Sequence, residues 1–275
     1  MAVGQSGFGI ARFGLEPMGR EKRKGTSAAD TFDTSGGGDY VVRGRGGDDT
    51  VLAGSEFTAK DRFIGGDGHD VLDLSGGGYL QGLTFASRSL TDVEEIRLST
   101  FNIYTLTLDA ANAPAGSTLL IDGTNAQATV IDGSAVAGDL VIHGGYVRGD
   151  LRGGAGDDIL YAGGDGTLMY GRSGDDRFVF GYQPNGHALV SFEIEDFAHG
   201  DIIDLGAIDA DTGALGNQAF HFGATPGHAG DLTVAYDAVN LVTLVTLYTN
   251  GDTMPDMRIF VPGDFRDLAP ADFVL

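Results

Sequence analysis

Large apolar side chains are spread thinly along this chain, in short runs broken by glycine and aspartate. Residues 105–108 (TLTL), 118–121 (TLLI), 129–131 (TVI) and 140–142 (LVI) recur at steps of about 10–13 residues. Each run is followed by a turn pair: Asp109-Ala110, Asp122-Gly123, Asp132-Gly133 and His143-Gly144. This spacing predicts short strands joined by tight turns. Residues 178–180 (FVF), 219–222 (AFHF), 231–236 (DLTVAY) and 241–249 (LVTLVTLYT) add further strands, the last too rich in Thr and Val for a helix. One segment reads differently: 90–97 (LTDVEEIR) predicts a short helix capped by Thr91 or Asp92. No run approaches the ~18 consecutive apolar residues of a membrane-spanning helix.

In two places the pattern tightens into a nine-residue unit. Residues 65–73 (GGDGHDVLD) and 153–161 (GGAGDDILY) both read Gly-Gly-x-Gly-x-Asp-x-U-x, where U is a large apolar residue. Residues 44–52 (GRGGDDTVL) and 171–179 (GRSGDDRFV) miss only the second glycine, and 25–33 (GTSAADTFD) keeps Gly25, Asp30 and Phe32. Six residues of the unit suit a turn and three a short strand, with the single U side chain pointing into a core. Two units make one coil of about 18 residues. Stacking such coils lines up their turns, and glycine lets backbone carbonyls crowd inward beside the aspartates. A cage made only of oxygen, with six to eight ligands, selects Ca²⁺. Asp158 and Asp176 stand one coil apart, whereas the longer step from Asp49 to Asp70 calls for a small bulge.

Composition agrees. Glycine contributes 46 of 275 residues, and of 39 acidic residues 32 are Asp and only 7 Glu. That is a turn-forming and metal-holding usage rather than a helical acidic surface. The net charge is −22, and residues 1–24 alone carry five basic and two acidic groups, leaving −25 on the remainder. Such a body repels nucleic-acid phosphates and anionic membranes. The chain has no cysteine, which excludes disulfides, thiolate metal sites and cysteine nucleophiles. Residues 1–24 lack an apolar core of the signal-peptide kind and read as a solvated basic tail. At ~150 residues per domain, the length suits one or two domains.

The nonads resemble those of the RTX (repeats-in-toxin, haemolysin-type) calcium-binding family. The stretch 191–205 (SFEIEDFAHGDIIDL) resembles the segment that follows the repeats in serralysin-type proteins, and the final Asp272-Phe273-Val274-Leu275 is similar to the C-terminus of their type I secretion substrates. The resemblance implies an all-β, right-handed parallel β-roll or β-solenoid with a β-rich C-terminal cap. It implies several Ca²⁺ ions held by the carboxylates of Asp30, Asp49 with its neighbour Asp48, Asp70, Asp158 and Asp176. The carbonyls of Gly46, Gly66, Gly68, Gly154, Gly156 and Gly174 would complete the sites. The expected organisation is a basic tail (1–24), a first repeat block (25–75), a solenoid-like middle (76–150), a second repeat block (151–180) and a C-terminal cap carrying the secretion signal (181–275).

The function expected from this is a secreted or surface-associated bacterial calcium protein. It would fold on Ca²⁺ outside the cell, leave through a type I secretion apparatus that reads its C-terminus, and serve a structural, adhesive or surface-layer role against matrix polysaccharide. No His-Glu-x-x-His helix, Gly-x-Ser-x-Gly elbow or phosphate loop is present, and His69, His143, His187, His199, His221 and His228 are scattered. Two alternatives rest on residues 76–150. One is a solenoid enzyme of the polysaccharide lyase or epimerase type, with Tyr79, Phe85, Phe101, Tyr104 and Tyr146 as candidate groove aromatics. The other is a carrier of a small ligand. The loop 250–256 (NGDTMPD) is a candidate for one further ion.

Overall fold

The computed structural model describes residues 20–75, 80–98, 101–181, 189–223 and 226–275. It is a parallel β-solenoid, with strands of two to seven residues and two 3-10 turns among the described residues. One face is a single ten-stranded sheet running from Thr31–Asp33 to Phe273–Val274, parallel throughout. Each strand sends one side chain into a continuous inner column. In register these are Phe32, Val51, Leu72, Ile96, Ile121, Ile142, Leu160, Phe178, Ile203 and Phe273, all buried. Their sequence signal is the lone U residue of each nonad, now stacked upon itself.

The opposite face starts as a four-stranded sheet (Glu21–Lys24, Tyr40–Gly46, Arg62–Asp67, Leu90–Thr91) and continues as a ten-stranded one beginning at Leu80–Thr84. Its own column runs Leu83, Leu106, Ile131, Leu151, Met169 and Ile194. The two columns meet to form the core.

Coils differ in how much they bury. The nonad strands are three residues long in Thr50–Leu52 and Val71–Asp73 and four in Ile159–Ala162 and Arg177–Phe180, whereas Ile103–Thr107, Thr118–Asp122, Ala128–Asp132 and Asp139–His143 have five. A five-residue strand turns two apolar groups inward, as with Tyr104 and Leu106, Leu119 and Ile121, or Leu140 and Ile142. At ~1.5–3 kcal/mol per fully buried aliphatic side chain, the middle coils gain more from burial alone.

Two expectations change. Residues 90–97 form no helix but two strands, Leu90–Thr91 and Glu95–Arg97, on opposite faces. Leu90, Val93 and Ile96 are all buried, so their three-residue spacing looks helical, but Asp92 between them takes φ +49° and turns the chain. The basic segment Glu21–Lys24, read as solvated tail, is an edge strand paired in parallel with Tyr40–Arg43. Its mostly exposed charges guard the open edge against pairing with another chain. The 21-residue step from Asp49 to Asp70 is absorbed by the 3-10 turn Gly54–Glu56.

At the far end the second face turns antiparallel. Met257–Pro262 lies parallel to Val190–Ile194 and antiparallel to Val242–Leu247, which pairs antiparallel with Asp231–Asp237.

Candidate metal centre

The repeat turns are built from glycine backbone and aspartate side chains that fold over it. In each nonad the sixth-position Asp lies against the first-position Gly of its own turn. A Cβ on Gly44, Gly65, Gly153 or Gly171 would fall inside the van der Waals shell of Oδ2 of Asp49, Asp70, Asp158 or Asp176 respectively. The same Cβ would meet a carbonyl from the next coil: Gly65 O at 2.8 Å from Gly44, and Gly171 O at 2.7 Å from Gly153. Glycine is required here because the space beside its Cα is already filled by oxygen.

The other carboxylate oxygen ties the coils together. Asp49 Oδ1 accepts the Asp30 N–H at 2.8 Å, Asp70 Oδ1 accepts that of Asp49 at 2.9 Å, and Glu94 accepts that of Asp70 at 2.8 Å. In the second block Asp158 Oδ1 accepts from Leu140 at 2.6 Å, Asp176 from Asp158 at 2.8 Å and Asp201 from Asp176 at 2.9 Å. An outer ladder runs beside each block. Asp48 accepts from His69 at 2.9 Å, Asp139 from Asp157 at 3.1 Å and Asp157 from Asp175 at 2.9 Å.

Backbone conformation follows the nonad in three of the four units, Gly154 and Gly156 being the exceptions without positive φ. The fourth-position glycines Gly47, Gly68 and Gly174 have φ of +87°, +136° and +131°, which glycine adopts freely. At the second position Gly66 has φ +122°, and where the consensus glycine is replaced, Arg45 and Arg172 are held at +96° and +78°.

Electrostatically the buried carboxylates of these turns face one another. Asp49, Asp70, Asp158 and Asp176 are buried. Burial pushes Asp70 and Asp158 up to about 6 and Asp176 to about 7. The charges that act on Asp70 are Glu94, Asp49 and Asp48, and those on Asp176 are Asp158, Asp201 and Asp196, all acidic. Asp49 Oδ2 and Asp70 Oδ2 are enclosed with no hydrogen-bond donor. A buried, donorless carboxylate oxygen needs a proton or a cation. Among the described residues no three His, Asp or Glu side chains converge as a metal cluster, so a cation here would draw most of its ligands from carbonyls. An all-oxygen set of carbonyls with a few carboxylates suits Ca²⁺.

The residues singled out from sequence fall in these turns. Asp30 closes the first ladder, its Oδ2 accepting from the Thr26 N–H at 2.6 Å. Gly66, Gly68, Gly154, Gly156 and Gly174 each pack against a carbonyl of the neighbouring coil, those of Arg45, Gly47, Val136, Gly138 and Gly156. Gly46 stands one place aside, 3.8 Å from the Asp67 carbonyl, while Gly47 takes the crowded fourth position. Sequence reading passed over Gly44, Gly65, Gly153 and Gly171, and also Asp139, Asp157 and Asp175, whose 18-residue period was there to be seen. It also missed Glu94, Asp196 and Asp201, which end the ladders after longer, aperiodic steps. Asp196 receives the N–H groups of Gly171 at 2.9 Å and Arg172 at 3.1 Å.

Other carboxylates are used locally. At strand ends in the middle coils Asp109, Asp122 and Asp132 cap their own turns by accepting from Ala111, Thr124 and Ser134. In the 250–256 loop Asp256 accepts from Thr249 at 2.6 Å and Asn250 at 2.7 Å, and Asp252 from Met254 at 2.9 Å. Of the candidate groove aromatics, Phe85 and Tyr104 are core, Phe101 and Tyr146 are exposed, and Tyr79 lies outside the described residues.

Residues 57–275 match the family model described as peptidase M10 serralysin C terminal. No curated protein matches the chain.

Proposed function

This chain belongs to the peptidase M10 serralysin C-terminal family, and on that premise we propose that it is a secreted calcium-binding scaffold whose repeat coils complete their folding on the ion. The observation that carries this reading is the pair of enclosed, donorless oxygens, Asp49 Oδ2 and Asp70 Oδ2, in a field of acidic neighbours. Calcium, when bound, supplies positive charge beside these oxygens.

The residues that would hold it are the carboxylates of Asp30, Asp49, Asp70, Asp158 and Asp176, with Asp48 beside them. Carbonyls of the crowded glycine positions would complete the sites. The chain's own contribution is preorganisation. Glycines clear the space, the Oδ1 ladders fix each carboxylate against the neighbouring coil, and the apolar columns hold the coils in register. Extracellular calcium modules bind at ~10⁻⁴–10⁻³ M. Sites of that strength stay empty in a low-calcium cytosol and fill outside, which fits export through a type I apparatus before folding. A structural or adhesive role at a bacterial surface follows from a long solenoid without a nucleophile–base or zinc constellation in its sequence.

Far-UV circular dichroism during a calcium titration, with magnesium as control, tests this on the full chain. The expected result is a cooperative gain of β signal near millimolar Ca²⁺ that Mg²⁺ does not reproduce. Full β signal in excess chelator, unchanged on adding calcium, would overturn it.

A further inference from the structure

The turns that follow the ten-stranded face leave an open cleft of about 340 Å³, away from the aspartate ladders. Its floor is bare peptide. Gly144, Gly145, Gly163 and Gly164 line it, and a Cβ on Gly163 or Gly164 would collide with the carbonyl of Gly145 or Tyr146. Its walls are rings. His143 stacks on Tyr161 with centroids 4.1 Å apart, and Tyr146 is the third ring, itself stacked at 6.0 Å on Phe101, which stands outside the lining. Thr124 stands at the rim, its Oγ1 3.2 Å from His143 Nδ1.

Three features set this cleft apart. Among the described residues none lining it is Asp, Glu, Lys or Arg, whereas three other clefts each carry a carboxylate: Asp92 and Glu94, Glu193, or Glu193 and Asp237. Burial holds the His143 imidazole below its ordinary value against the pull of Asp122, so it is neutral at pH 7. Two of the rings face water: Phe101 is 69% exposed and Tyr146 54%. Phe101 also stands at φ +63°, a backbone conformation that a bulky side chain adopts only when the surroundings hold it there. Its N–H is fixed to the Asn125 carbonyl at 3.0 Å, which keeps the ring on the surface beside Tyr146.

We propose that the cleft walled by His143, Tyr161 and Tyr146, the last carrying Phe101 stacked against it, is a binding subsite for a neutral sugar residue of a polysaccharide. The C–H face of a pyranose ring covers an aromatic face, and its hydroxyls exchange hydrogen bonds with Thr124, with the Tyr146 hydroxyl and with bare glycine backbone. Concave sites with apolar walls and a few placed polar groups bind this kind of ligand. The uncharged lining offers no partner for a uronate or sulfate, and a chain of net charge −22 repels both. The cleft is open to solvent on the described residues. The site rests on ring geometry alone and is independent of the calcium reading.

The test is affinity electrophoresis of the calcium-loaded full chain through native gels containing soluble glucan, mannan or galactan, with alginate as the anionic counterpart. The expected result is retardation in at least one neutral gel. Tyr146→Ala and Phe101→Ala should each weaken it by about tenfold, the loss of one stacked ring. Val239→Ala, at an exposed apolar site on a distant hairpin, should leave it unchanged. Circular dichroism of each variant separates lost binding from lost fold. Migration unaffected by all three neutral polymers, retardation by alginate alone, or unchanged retardation of both folded ring variants would each overturn the proposal.

Discussion

Asp176 accepts the backbone N–H of Asp158, 18 residues earlier, at 2.8 Å, and both side chains are buried. One carboxylate oxygen thus fixes the neighbouring coil while the other faces the turn. Under the calcium proposal, a structural and an ion-holding role would sit on a single side chain, and substitution can separate them. Asp176→Asn keeps an acceptor for the Asp158 N–H and removes the charge. In chelator at neutral pH it should be at least as stable as the parent to urea, yet need several-fold more calcium to reach half-folding. Asp176→Ala leaves that N–H unpaired and should lose ~1–3 kcal/mol in both conditions. An unchanged calcium midpoint in the Asn variant would remove Asp176 from the ion site.

The acidity of the turns gives a sign for pH. Asp70 and Asp158 are raised to about 6 and Asp176 to about 7, from an ordinary 3.8, by burial. Their folded forms keep protons that the unfolded chain releases. The stability from these groups is fully present below about pH 4 and is lost as pH rises through about 6 to 7. Calcium-depleted protein should therefore melt at lower temperature at pH 8 than at about pH 5. With saturating calcium the trend reverses, because the ion competes with those protons. Metal-free melting that improves across the same range would contradict the assignment.

First-position glycines should tolerate no methyl group. Gly44→Ala and Gly153→Ala place Cβ onto Asp49 and Asp158 oxygens and should cost ~1–3 kcal/mol, read as a lower urea midpoint. Gly36→Ala and Gly251→Ala, with open space at the same position, should lie within ~0.5 kcal/mol of the parent. Equal effects in both pairs would mean that crowding by oxygen is not what selects glycine in these turns.

Arg45 and Arg172 occupy positive φ where the repeat otherwise uses glycine. Arg172→Gly should stabilise the chain by ~1 kcal/mol through relief of the left-handed conformation. Arg45→Gly should gain less, because Arg45 also donates to the Gly25 carbonyl at 3.4 Å. Denaturant midpoints of the two variants test the ranking.

Much of this architecture was legible in the residues, and the gaps have physical causes. The nonad carries its own turn and strand, so Asp49, Asp70, Asp158 and Asp176 could be placed at equivalent points without coordinates. The helix expected at 90–97 fails because Leu90, Val93 and Ile96 serve two strands and a turn at a spacing that mimics one helical face. Aromatic burial was not legible either. Tyr104 points inward and Phe101, three residues before it, outward, a difference set by strand register and one positive φ rather than by residue type. Asp196, Asp201 and Glu94 join the ladders only because long connections return to the same edge, and no local period announces that.

The five-residue strands of the central coils have a consequence for the order of assembly. Repeat arrays fold as nearest-neighbour chains, spreading from whichever unit is stable by itself. On the calcium proposal the coils between Ile103 and His143, whose strands are longer and whose turns are capped by their own side chains, would be the first to form. The two aspartate-lined stacks would be arms that zip outward from them in opposite directions. Under the calcium proposal, external calcium would act as a length control, setting how far each arm is wound.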